Sequence, residues 1–97
     1  MGSRGAFVNA DKGDFSFREG GQNYYSLGTL SSDSNVKIIL QKTGSVKAPE
    51  FSHTGERIYA VVQNGMLKHI SYYDSNHNQV RIVDLLHEHK KLITVPL

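Results

Sequence analysis

A mainly β fold is expected of this chain: an antiparallel sheet whose C-terminal part is a three-stranded meander. Three observations point there. β-branched and aromatic runs alternate with Gly, Asn, Asp and Ser turns from Phe15 onward. The pair Asn64-Gly65 separates two such runs, and Asn-Gly supplies the positive φ that a type I′ hairpin turn needs at both central positions. No segment shows an apolar period of 3.6 with caps at its ends. The alternative is α+β, with one short helix on one face of the sheet, since Leu85 and Leu86 are good helix formers. Val80, Ile82 and Val83 weigh toward a strand in that same segment.

The elements follow in order. Residues 1–14 carry Gly2, Gly5 and Gly13 among polar residues and are expected to form an arm or linker. Residues 15–97 are then a single small antiparallel β domain with a thin core. Phe15-Ser16-Phe17 alternates until Gly20-Gly21 breaks it, and Gln22 to Leu30 forms the next strand, closed by the turn-rich Ser31 to Asn35. Val36 to Gln41 is short, β-branched and apolar, so it reads as a buried strand. Lys42 to Thr54 holds Gly44 and Pro49 and reads as an irregular connection. The meander comprises Arg57 to Gln63, Met66 to Asp74 and Val80 to His89, with a second turn over Asp74 to Asn78.

A two-residue first loop sets Val62 against Leu67, Ala60 against His69 and Ile58 against Ser71. The second loop sets Tyr73 against Val80, Tyr72 against Arg81 and His69 against Asp84. Alternation then gives a core face of Ile58, Ala60, Val62, Leu67, Tyr73, Val80, Ile82 and Leu86, with the His69–Asp84 couple inside it. The opposite face holds Arg57, Tyr59, Val61, Lys68, Ile70, Tyr72, Arg81, Val83, Leu85, His87 and His89. That face has cations, tyrosines and histidines but no carboxylate, which suits a phosphodiester. Each of the doublets Tyr24-Tyr25 and Tyr72-Tyr73 is expected to put one ring on either face of its strand, with core packing as the default role.

Composition excludes several classes. The absence of cysteine removes disulfide scaffolds, Cys-ligated zinc and thiol nucleophiles. No apolar run approaches the roughly 20 residues of a membrane span, and no targeting or myristoylation signal is expected from the opening residues, so localisation stays open. The net charge of +2 is compatible with nucleic acid without demanding it. No phosphate-binding glycine loop, dinucleotide fingerprint, nucleophile elbow or zincin motif is present, so an enzyme here is expected to be small, metal-free and without a cofactor.

All five histidines lie from residue 53 onward. On a strand, His87 and His89 project to one side, roughly 6.5–7 Å apart along the chain. That spacing fits general acid–base catalysis, two ligands of a metal site, or a solvated strand end. His69 with Asp84 fits an orienting pair or a satisfied core couple. His53 and His77 read as a loop residue and a solvated turn residue.

Three stretches resemble a known group: Arg57-Ile58-Tyr59-Ala60-Val61-Val62-Gln63-Asn64-Gly65-Met66-Leu67-Lys68-His69, then Tyr72-Tyr73-Asp74, then Asp84-Leu85-Leu86-His87-Glu88-His89-Lys90. They are similar to toxin-like domains at the C-termini of bacterial polymorphic toxins and of phage head-morphogenesis proteins, over roughly residues 46–91. Many such domains are grouped with the barnase-like, metal-independent RNases, which pack a helix on one face of an antiparallel sheet and cleave RNA to a 2′,3′-cyclic phosphate on the other. The resemblance matches His87 and His89 to the first His-rich element of the group. The further Pro-His-x-His segment common in relatives has no counterpart in Thr94-Val95-Pro96-Leu97. Implied with it are RNA as substrate, a cognate immunity protein, and a place in a larger phage or secreted protein acting in the bacterial cytoplasm. On this reading His87, His89 and His69 are the catalytic candidates, and Arg57, Lys68, Tyr72 and Arg81 the phosphate- and RNA-binding ones. The rival expectation is a non-enzymatic interaction module of a phage or secreted protein that uses exposed strand edges, including self-association, and no membrane.

Overall fold

The computed structural model describes residues 13–85. They form one six-stranded sheet in which each strand lies beside its neighbour in the chain. The strands are β1 (Asp14–Glu19), β2 (Gln22–Thr29), β3 (Val36–Gln41), β4 (Ile58–Gln63), β5 (Met66–Tyr73) and β6 (Gln79–Asp84). The fold is mainly β, and every element of the described residues is a strand. β1 starts at Asp14, so the last residue of the expected arm belongs to the sheet. Of the segment weighed as helix or strand, Gln79–Asp84 is strand, and Leu86 and all that follows lie outside the described residues.

Turn chemistry fixes the hairpins. Asn64 and Gly65 have φ of 55° and 74°, as the type I′ turn between β4 and β5 requires. The β1–β2 turn is built the same way on Gly20 and Gly21.

One pairing departs from the antiparallel expectation. β3 and β4 run parallel, with Val36 beside Ile58 and Leu40 beside Val62, so the sheet is mixed. A parallel pair requires a long crossover, usually helical. Here residues 42–57 supply it as irregular backbone laid over one face. Polar side chains of the sheet hold it there: Tyr24 Oη donates to the Lys47 carbonyl at 2.6 Å, Tyr73 Oη to the Pro49 carbonyl at 2.5 Å, and Gln63 Nε2 to the Gly44 carbonyl at 2.9 Å. Beneath it lie Phe17, Tyr24, Ile39, Tyr59, Val61 and Tyr73 of the sheet, with Ala48 and Val46 of the crossover packed onto them. Tyr59 and Val61 have no exposed surface, and burying a side chain of this kind contributes about 1.5–3 kcal/mol. The opposite face has its own cluster, Leu40 and Val62 with Tyr25, Leu27, Ile38 and Leu67. β4 therefore packs on both faces, which accounts for its unbroken apolar run.

Bulges overturn the expected faces. Val62 opposes Leu67 as expected, but Lys68 is an extra residue, and beyond it Val61 meets His69, Ala60 meets Ile70, Tyr59 meets Ser71 and Ile58 meets Tyr72. One inserted residue moves every later side chain of β4 to the other face relative to β5. Tyr59 and Val61, expected on the cationic face, are thus in the main core with Tyr73. Ile58, Ala60 and Val62 lie on the opposite side. A second bulge at Val80 sets Tyr73 against Gln79, while Tyr72–Arg81 and His69–Asp84 pair as expected. Val80 and Ile82, expected in the core, are 63% and 45% exposed.

Candidate functional site

His69 is buried on β5, directly across from Asp84. Its Nδ1 stands 3.7 Å from Asp84 Oδ1, an ion-pair distance rather than a hydrogen bond, and has no hydrogen-bond partner among the described residues. A buried polar nitrogen without a partner is uncommon in native sheets. His87 and His89, the first two catalytic candidates, follow Asp84 in the chain and lie outside the described residues.

The four RNA-binding candidates are only partly brought together. Tyr72 and Arg81 oppose each other on one face, the guanidinium carbon 5.5 Å from the ring centroid. Ile70 and Val83 share that face. Lys68 occupies the bulge, half-buried. Arg57 does not join them: its Nε donates to the Tyr73 carbonyl at 2.7 Å and its own carbonyl accepts the Tyr73 amide at 2.8 Å. Lys42 was not singled out in the sequence, yet its Nζ sits 4.3 Å from the centroid of Tyr25. Tyr25 pairs with Leu40, which lies beside Val62, so this cation–aromatic pair is on the same face as Tyr72–Arg81. Each such pair contributes roughly 0.5–1 kcal/mol at an exposed site and leaves the cation available to an anion.

A second constellation is invisible in the sequence. Glu19, at the end of β1, receives the backbone amides of Glu50 at 2.7 Å and Phe51 at 3.3 Å, and the Nε2 of His53 at 2.7 Å. The His53 ring stacks on Phe17 with centroids 4.4 Å apart and 20° between planes, and meets the edge of Phe51 at 5.2 Å. Phe51 also touches the ring of His77 at 5.7 Å. The backbone ties the two histidine segments together, because Ser52 donates its amide to the His77 carbonyl at 2.8 Å and Phe51 bridges Asn78. Glu19 and His53 are far apart in the chain, and only the crossover brings them together. The one signal in the sequence is that Glu19 follows Phe17 at strand spacing, which puts a carboxylate on the core side of the strand end.

Burial pushes the Tyr24 hydroxyl up to about 12, with the Glu19 charge adding to it. The Tyr73 hydroxyl is raised further, again mainly by burial. Both phenols therefore remain proton donors to the crossover carbonyls. Among the described residues no group of three or more His, Asp or Glu side chains could hold a metal ion. No helix of the described residues is long and apolar enough to cross a membrane. Compared with known protein families, with curated proteins and with solved structures, the chain matches none.

Proposed function

We propose that the chain is a toxin-like, RNA-cleaving domain that works by imidazole acid–base chemistry without a metal. The observation that carries the reading is the Tyr72–Arg81 pair, a cation on an aromatic ring, on the same face as Lys42–Tyr25. Rings of this kind stack bases and the cations neutralise phosphates, with little demand on sequence. β6, which carries Arg81 and pairs Asp84 with His69, leads in the chain to His87-Glu88-His89. In this reading His87 or His89 takes the 2′-hydroxyl proton or protonates the departing oxygen, and His69 supports them. Arg81 and Lys68 stabilise the charge at phosphorus. Arg57 is a helper at most, its Nε being held by Tyr73. A cognate immunity protein and a larger parent protein belong to the same proposal. The test is cleavage of single-stranded RNA in EDTA. His87→Ala or His89→Ala is expected to lose at least ~100-fold while the fold is kept; full activity in both variants would remove them from the chemistry.

A second reading, a self-associating interaction module, is favoured by the outer strand. β6 is the last strand of the sheet among the described residues and holds Val80 and Ile82 at 63% and 45% exposure, with neither Lys nor Pro in the strand. Outer strands with exposed apolar side chains are sites of strand addition, and β6 combines its Val80 and Ile82 with the charges of Arg81 and Asp84. On this reading the chain sediments as a dimer, Ile82→Lys converts it to a monomer, and RNA is not cleaved.

A further inference from the structure

We infer that the face bearing Tyr72–Arg81 holds a second nucleotide station at its far corner, made of Phe15, Tyr25 and Lys42. Resting on the RNA reading above, this sets the class of substrate. It is a single strand long enough to reach both stations at once, not a dinucleotide and not a duplex.

Three observations lead there. First, the far corner repeats the parts of Tyr72–Arg81 and adds a ring. Lys42 Nζ lies 4.3 Å from the Tyr25 centroid. Phe15, paired with Tyr25 across the β1–β2 ladder, meets it edge to face with centroids 5.9 Å apart and 81° between planes. Phe15 is nevertheless 60% exposed. An open ring beside a cation offers a platform to a base and a charge to its phosphate. Second, charge is divided between the two faces. The carboxylates of the strands are Asp14, Glu19 and Asp84, and all three lie on the crossover side. Asp14 opposes Ser26 and through it Ile39, Glu19 bonds the crossover, and Asp84 opposes His69 and through it Val61. Lys37, on that same side, is paired with Glu56 at 3.8 Å. The other face carries Arg81, Lys42 and also Arg18, which opposes Asn23, and no strand carboxylate. A face of one sign attracts a polyanion.

Third, the register fixes how far apart the stations are. Tyr25, Leu40, Val62 and Leu67 form one row across β2 to β5. Three strand spacings make about 14 Å. Tyr72 opposes Ile58, four residues along β4 from Val62, which adds about 13 Å in the other direction. The stations thus stand about 20 Å apart on a diagonal of the sheet. A stacked strand rises about 3.4 Å per nucleotide, so about six nucleotides bridge them, and fewer when the strand is extended. The floor between is apolar, Leu40 and Val62 with Leu27, Ile38 and Leu67 packed against them. It gives a phosphate no charge, so the middle nucleotides serve as a tether between two points of attachment. Joined in this way, two weak contacts gain roughly 10²–10⁴ over either alone. A duplex gains nothing comparable, because its bases are stacked inside and cannot reach Phe15 or Tyr72.

The deciding experiment measures binding of the full chain to fluorescent 2′-O-methyl oligouridylates of increasing length, from a dinucleotide to a decamer. These lack the attacking hydroxyl and are bound without being cut. An RNA duplex and vesicles containing phosphatidylserine are measured alongside. Affinity is expected to rise at least ~100-fold between the dinucleotide and the octamer and then to level. Phe15→Ala and Lys42→Ala, both at exposed positions, should remove most of that rise with the unfolding temperature kept. They should change dinucleotide affinity by no more than about two-fold, since the Tyr72–Arg81 station remains. Lys42→Ala should also flatten the salt slope of log K for the octamer by about 0.7. An octamer bound no better than the dinucleotide, a rise that both variants leave intact, or a duplex bound as tightly as the octamer overturns the second station. Each of these leaves the RNA reading to its cleavage assay. Vesicle binding that needs Phe15 and Lys42, with no oligonucleotide bound and no RNA cleaved, overturns both.

Discussion

Gln41 Oε1 accepts the backbone amide of Lys47 at 2.8 Å, from a side chain with no exposed surface. The same amide group donates through Nε2 to the Thr43 and Ser45 carbonyls at 2.9 and 2.8 Å. One buried glutamine thus stands in for the secondary structure that the crossover lacks. Gln41→Leu leaves these backbone groups without their partner and is expected to cost roughly 2–4 kcal/mol, read by urea unfolding. A change below 1 kcal/mol would mean that the crossover's start is not held by Gln41.

The tyrosine anchors give the fold an alkaline limit. Tyr24 titrates near 12 in the fold against about 10 in the unfolded chain, and Tyr73 is shifted in the same direction. A raised phenol pKa means that the unfolded chain loses its proton first. The contribution is therefore complete below pH 10 and is lost as pH rises from 10 through 12. The loss for Tyr24 is on the order of 2 kcal/mol. Urea midpoints measured from pH 8 to 12 should fall over that window, and Tyr24→Phe should flatten part of the fall.

His77 is the strained member of its turn. Asp74 accepts the His77 amide at 2.9 Å and, through Oδ1, the amides of Asn76 and Asn78 at 2.9 and 3.0 Å, which holds the chain at positive φ. His77→Gly is expected to leave unfolding free energy unchanged or raise it by up to about 1 kcal/mol, and His77→Val to lower it by about 1–2 kcal/mol. If Gly costs more than ~2 kcal/mol, the His77 ring is there for packing.

Arg81 and Tyr72 should be separable in RNA binding. Arg81→Ala is expected to weaken binding of single-stranded RNA evenly across sequences and to reduce the salt slope of log K by about 0.7. Tyr72→Ala should cost roughly 1–3 kcal/mol with the slope unchanged. Fluorescence anisotropy at several salt concentrations measures both. Equal slopes for Arg81→Ala and the parent would show that Arg81 meets no phosphate.

Much of the architecture was legible because turns and strand residues are local signals. Asn64-Gly65 marked one hairpin, Gly20-Gly21 marked the end of the first strand, and Val36–Gln41 read as a buried strand, whereas β4 was read as buried on one face only. The tyrosine doublets also split as expected: Tyr24 and Tyr73 lie in the main core, Tyr25 and Tyr72 on the other face. The bulges at Lys68 and Val80 were not legible, because neither has a glycine or any other local mark, and their cost is repaid by burial of Tyr59 and Val61. The parallel β3–β4 pairing was missed for a related reason. A parallel crossover is usually announced by a helix, and this one is held by Gln41, Gln63, Tyr24 and Tyr73 reaching up from the sheet. The Glu19–His53 contact was out of reach, since no local rule brings a strand end and a distant loop together. His69–Asp84 and Tyr72–Arg81 were reached because both lie on the same side of the Val80 bulge, in the stretch where the expected register is kept.

The parallel seam also bears on how the chain acquires its shape. β1–β3 and β4–β6 are each a three-stranded antiparallel meander closed by short turns; their strands pair where Val36–Leu40 lies along Ile58–Val62, and Phe17 and Tyr24 of the first half share one core with Tyr59 and Tyr73 of the second. Local hairpins assemble in microseconds, whereas joining two preformed halves must first close the whole crossover. The chain should therefore fold as two quick halves and one slower docking step. Truncating Ile39 or Val61 at the seam would slow refolding, while changes at the outer strands would mainly hasten unfolding. The same division lets one molecule's second half dock on another's first half, an exchange governed by the crossover acting as a hinge.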